Sequence, residues 1–170
     1  MTPTFMKFAP VAAALVAMMS ACATPPQPFE VIHGGSQTGI RANSSQTNVV
    51  TDRFELDELF KQITARQLPT PEVPKVDFAK DIVVYVSRDP KPSVGYGLKV
   101  RSVKCDSGVM KIDLQEINPQ GNANQAQVIT QPYVLFTTAR CPMLVQVEVS
   151  GADFAAPRPI RVAPQVTKRE

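Results

Sequence analysis

The sequence predicts an α+β fold: a mainly antiparallel β-sheet, sandwich-like or a partly closed barrel, with one amphipathic helix packed on it. Three observations carry this. Short runs of β-branched and aromatic residues recur, such as 81–86 (Asp-Ile-Val-Val-Tyr-Val) and 144–149 (Leu-Val-Gln-Val-Glu-Val), each beside turn-forming residues. One stretch, 52–66, carries apolar residues at helical spacing, namely Leu56, Leu59, Phe60 and Ile63. Sixteen prolines among 170 residues divide the chain into short elements joined by turns.

The N-terminus reads as a leader. Lys7 precedes an apolar run at 8–18, and Met6 is a second candidate start. One positive charge before a short apolar core is the pattern of a secretory signal, too short to span a bilayer stably. The run ends in Ser20-Ala21-Cys22, which resembles the bacterial lipobox, and the reading is a lipoprotein signal peptide at 1–21 with Cys22 as the lipidated residue. A cleaved signal with an incidental cysteine is the competing reading, disfavoured because Cys22 directly follows Ser-Ala at the end of the run. Each buried methylene of an acyl chain contributes about 0.8 kcal/mol, so two or three chains on Cys22 give stable anchoring. Ala23, rather than Asp, points under the enterobacterial sorting rule to the outer membrane. The expected location is the bacterial cell envelope, lipid-anchored, facing the periplasm or the surface. A proline-rich linker at 22–28 holds a β-rich domain at 29–150 off the membrane, and a flexible tail covers 151–170.

Charge excludes some partners. The formal net charge of +3 falls to +2 once Lys7 leaves with the leader, and no Lys/Arg cluster stands outside the last few residues. There is no tryptophan and no aromatic row suited to base stacking, so no nucleic acid is expected. Nothing in the chain implies a cofactor or a small-molecule substrate. With Cys22 assigned to lipid, Cys105 and Cys141 remain as an even pair in an oxidising compartment, and a disulfide is expected. Two free thiols or a metal site are the alternatives. The single histidine, His33, lies far away in sequence and no Cys-x-x-Cys spacing occurs, so no metal is expected.

In chain order, 29–32 reads as a first strand, 34–39 as a turn around Gly34-Gly35, and 41–47 as a polar loop. The double glycine lacks the lysine and helix N-terminus that a phosphate cradle needs. Thr51 or Asp52 caps the helix, Glu55 stands in its first turn, and Asp57, Glu58 and Lys61 form its solvated face. Residues 68–74, with three prolines, run extended to the central strand at 81–86. Alternation at 98–103 and 109–115 about Asp106-Ser107-Gly108 predicts a hairpin with one buried face. The segment 118–124 is an exposed loop, 128–130 and 134–137 form a strand region interrupted at Pro132, and 144–149 closes the sheet. Between the central strand and the hairpin lies the most distinctive loop, 87–96. Pro90 and Pro92 stiffen it, Ser93 and Val94 follow, and Gly95 reverses the backbone before an exposed Tyr96 ring. A protein-binding surface and a plain connection both account for it.

No catalytic constellation is visible. A serine hydrolase needs a histidine placed by an acid, and no Gly-x-Ser-x-Gly elbow occurs. A cysteine nucleophile needs Cys105 or Cys141 beside His33, and the 15 acids include no pair in a recognisable setting. The expectation is a binding or accessory module, not an enzyme.

Asp77-Phe78 before the apolar strand, the Pro92-x-x-Gly95-Tyr96 loop, the alternating hairpin and Thr130-Gln131-Pro132-Tyr133 resemble the C-terminal domain of the protease-complex subunit PrcB. Phe29-Glu30-Val31-Ile32, Thr38-Gly39-Ile40 and the helix with Phe54 and Leu59 look like the opening of that domain. The similarity runs from Phe29 to about Val149, with Val94 where the family usually has a glycine. It implies a secreted or lipid-anchored, non-catalytic accessory or stabilising subunit that binds another protein, a surface or periplasmic protease. It brings no catalytic residues. A second likeness leaves an alternative open. Lys91-Pro92-Ser93-Val94-Gly95-Tyr96 is similar to a loop of chagasin-type cysteine-protease inhibitors, which are β-sandwiches, and Arg158-Pro159 faintly echoes another of their loops.

Overall fold

A computed structural model describes residues 24–119, 126–142, 144, 146–150 and 160–161. The expected leader, Cys22, residues 120–125 and most of the expected tail lie outside the described residues. The elements are β1 (Phe29–Gly35), β2 (Gln46–Val50), α1 (Arg53–Thr64), β3 (Asp81–Ser87), β4 (Gly97–Asp106), β5 (Val109–Ile117), β6 (Tyr133–Ala139), β7 (Gln146–Ser150) and β8 (Ile160–Arg161). They build two four-stranded sheets, ordered β1-β6-β3-β2 and β4-β5-β7-β8. The sheets do not close into a barrel, so the α+β expectation holds in its sandwich-like form.

Strand β3 explains the layering. Its side chains alternate between two faces, and both are buried. Ile82, Val84 and Val86 join Val100, Met110, Ile112 and Phe136 in the core shared with the second sheet. Val83 and Tyr85 join Leu56, Phe60 and Ile63 of α1 and Leu135 of β6 on the other face. Burial on both faces is why this strand reads as a continuous apolar run rather than an alternating one. Each fully buried Val, Leu, Ile or Phe side chain contributes about 1.5–3 kcal/mol, which makes β3 and β6 the energetic centre.

Helix α1 starts and stops for local reasons. Asp52 accepts the Glu55 backbone N–H at 2.9 Å, and the Glu55 carboxylate reaches back to the Thr51 N–H at 3.1 Å, an arrangement close to a capping box. At the other end the Gly39 N–H donates to the Ile63 carbonyl at 2.8 Å. A side chain at position 39 would overlap the Gln62 carbonyl oxygen, so this close approach requires glycine.

The hairpin forms as expected, with Ser107 (φ 51°) and Gly108 (φ 82°) making its turn. A bulge at Arg101 shifts the register, so Val100 and Val103 both point inward although three positions apart. Cys105 and Cys141 are disulfide-bonded, with Cα atoms 5.7 Å apart, tying the end of β4 to the segment after β6 and hence one sheet to the other. Closing a loop across 36 positions stabilises by about 4 kcal/mol in the chain-entropy account.

Several local expectations are corrected. Gly34 and Gly35 do not turn: they extend β1 and pair with Val134 and Tyr133, because the ladder with β6 continues past a bulge near Ile32. Gln46 and Thr47, the end of the expected 41–47 loop, instead open β2, because Thr47, Val49 and Val50 favour a strand and the edge of β3 offers backbone partners from Gln46 to Val50. Residues 128–130 form no strand; Thr130 alone bridges to Lys91. Strand β7 pairs with β5 in parallel, so the second sheet is mixed, and Ile160–Arg161 add antiparallel to β7.

Candidate functional site

The 87–97 connection crosses from one sheet to the other, and its conformation is held at every stage. The Arg88 N–H donates to the Pro132 carbonyl at 2.9 Å. Lys91 exchanges two backbone bonds with Thr130, at 2.7 and 2.9 Å, and the Thr130 hydroxyl donates to the Ser93 carbonyl at 2.7 Å. The Val94 N–H reaches the Ala126 carbonyl at 3.3 Å. The loop is thus laced to residues 126–132 and is not a free excursion.

A buried charge cluster lies beneath it. Glu116 on β5 is almost wholly buried; the Arg88 guanidinium donates to its Oε2 at 3.0–3.1 Å, and the Lys91 ammonium pairs with its Oε1. The Lys91 ammonium also stands 5.1 Å from the centre of the Tyr96 ring, within cation–π range. One carboxylate from the second sheet therefore holds two cations of the loop, and one of those cations holds the tyrosine.

This geometry revises the loop as read from sequence. Pro90, Pro92 and Gly95 face solvent, Val94 is half-buried and Ser93 is buried. Tyr96 is not fully exposed: it is half-buried beside Lys91. Gly95 has φ +96°, and a Cβ there would meet Pro119 Cβ at 2.9 Å, so both conformation and contact require glycine. The solvent-facing part is a proline ridge with the edge of Tyr96 beside it.

Sequence reasoning passed over Glu116, Arg88 and Lys91. A signal for Glu116 was present: Met110, Ile112 and Leu114 set the inward register of β5, and Glu116 continues it two residues on. A carboxylate in an apolar register demands a buried partner. Its partners come from another strand end and a loop, and no local pattern points to them.

Beside the loop, the turn at 37–43, the end of α1 and residues 129–131 enclose a groove of about 400 Å³. Arg41 and Arg66 line it together with Ile40, Pro90, Ile129 and Gln131. His33 lies elsewhere, on β1. The Tyr133 hydroxyl shares a hydrogen bond with its Nδ1 at 2.9 Å and accepts from Gln67 at 3.0 Å, and the imidazole meets the Phe60 ring edge to face at 5.2 Å. Burial lowers the imidazole pKa, partly opposed by a hydrogen bond with Gln67, and burial raises that of the Tyr133 hydroxyl.

No curated protein and no solved structure matches the chain. Residues 82–139, which run from β3 through the pinned loop and the hairpin into β6, match the family model described as PrcB C-terminal, the family that the strand and loop residues resemble.

Proposed function

We propose that this chain is a non-catalytic accessory subunit of a bacterial envelope complex. It is lipid-anchored through Cys22, and it binds and stabilises a surface or periplasmic protease through the 88–96 loop. The observation that carries the reading is the pinned loop inside the PrcB-matching segment, where Glu116, Arg88, Lys91 and Thr130 hold an exposed proline ridge in one shape. A surface ordered before association loses little conformational freedom on binding, and exposed loops on rigid sheets often serve recognition. The disulfide engages both cysteines of the domain, and His33 is turned to Tyr133 and Phe60, so neither a thiol nor this histidine is set up for nucleophilic chemistry.

Capture of the native lipoprotein from envelopes, followed by mass spectrometry, tests the assignment. A protease or a protease-associated protein should co-purify, and Tyr96→Ala should weaken that association by about 2 kcal/mol while a change on the solvated helix face, Glu58→Gln, leaves it intact. Binding that falls only in step with the folded fraction makes Tyr96 a structural residue and refutes the loop assignment. Inhibition of papain by the purified chain replaces the subunit reading with the inhibitor one. In the same cells Cys22→Ser should abolish palmitate labelling, and retained labelling refutes the anchor.

A further inference from the structure

The groove beside the loop is rich in donors. Gln131 is only 8 % exposed; its Oε1 accepts the Ala42 N–H at 3.3 Å, and its Nε2 has no hydrogen-bond partner among the described residues. The orientation of the amide follows from that contact. Turning it over would set the Nε2 donor against the Ala42 N–H donor, so the group left without a partner is an N–H. A buried N–H without an acceptor costs about 1–3 kcal/mol. Arg41 and Arg66 line the same groove, neither has an ion-pair partner among the described residues, and the lining includes no acid. Ile40, Ile129 and Pro90 supply apolar wall, and Ile129 is 76 % exposed.

We propose that this groove binds a carboxylate-bearing, extended peptide segment of the partner protein. Arg41 and Arg66 hold the carboxylate, Gln131 forms part of the wall, and Ile129 covers a neighbouring apolar side chain. Guanidinium groups match carboxylates with paired, charge-assisted hydrogen bonds, and a volume of about 400 Å³ falls within the range of specific ligand sites. Pro90 belongs both to the groove and to the proline ridge, so one segment can follow both. The identity of the occupant as a protein segment rests on the accessory-subunit reading; the donor chemistry does not.

The test is a titration of the isotope-labelled full chain, followed by NMR, with acetyl-Leu-Asp-Val-Glu-Leu-amide, its Asn/Gln counterpart and inorganic phosphate. The acidic peptide should shift the backbone signals of residues 37–43 and the Gln131 side-chain amide, and its Asn/Gln counterpart should bind about tenfold more weakly or worse. The double variant Arg41→Gln/Arg66→Gln, at exposed positions, should lose the same factor with unchanged melting. Equal binding of the two peptides, no shift at the Gln131 amide, or the same shifts from phosphate at equal concentration overturns the proposal. Capture from envelopes separates it from the broader reading. A protease partner retained by the double variant refutes the groove alone, whereas no partner on the unmutated chain refutes the accessory reading and leaves the titration to judge the groove.

Discussion

Replacing Glu116 by glutamine tests whether the buried charge cluster holds the fold and its loop. The substitution keeps shape and volume and removes one negative charge. The Glu116 side chain is 1 % exposed and that of Arg88 10 %, so Arg88 has no route to water that keeps its place. The Lys91 side chain, 21 % exposed, can swing outward, and its share of the loss is discounted accordingly. Removing one partner of a buried ion pair costs about 3–5 kcal/mol where the remaining charge is left without compensation. The glutamine carbonyl still accepts one bond from Arg88, so the lower end applies: about 3 kcal/mol, or roughly 6–12 °C in melting temperature at this chain length. Urea unfolding followed by far-UV circular dichroism should show a lower midpoint with an unchanged slope. Replacing all three charges together, with Arg88→Met, Lys91→Met and Glu116→Leu, should recover much of the loss, since apolar groups of similar volume need no partners. A cost below about 1 kcal/mol for Glu116→Gln refutes the argument, because the carboxylate is then solvated or replaceable.

Two further predictions concern other parts of the molecule. Gly39→Ala should destabilise by about 3 kcal/mol, the upper end for overpacking, since its Cβ meets the Gln62 carbonyl and displaces the N–H that caps Ile63; a melting temperature equal to that of the unmutated chain refutes this. His33 has its pKa lowered from 6.5 by burial, so the folded state binds fewer protons than the unfolded state between the folded value and 6.5. Its contribution to stability is complete above pH 6.5 and is lost as pH falls from there toward the folded value. Melting temperatures at pH 7.5 and 5 should therefore differ by less in His33→Asn than in the unmutated chain, and an equal difference refutes the assignment.

Much of the architecture was legible because it is written in local periodicity. Leu56, Leu59, Phe60 and Ile63 specify the apolar face of α1, Asp52 its start, and the alternation about Ser107-Gly108 the β4–β5 hairpin. These features depend on side chains a few positions apart, which is the range over which a sequence pattern acts. The pairing of Cys105 with Cys141 was also accessible, since only two cysteines remain after Cys22.

Other features depend on residues distant in sequence. Gly34 and Gly35 carry a turn signal, yet β6, about a hundred positions later, takes them into a ladder. Gln46 and Thr47 close a polar stretch, yet they open β2 because β3 presents an edge to pair with. The division of the strands into two sheets, and the parallel seating of β7 on β5, follow from which apolar faces can cover one another. The candidate sites lie at the far end of that scale. Glu116 announces itself by a charge in an inward register, but only folding brings Arg88 and Lys91 to it. Likewise Arg41, Arg66 and Gln131 come from a turn, a helix end and the approach to β6. Local sequence determines which residues are helical, extended or turned. Tertiary structure decides which charges share a buried space, because that depends on distances between elements that no single stretch encodes.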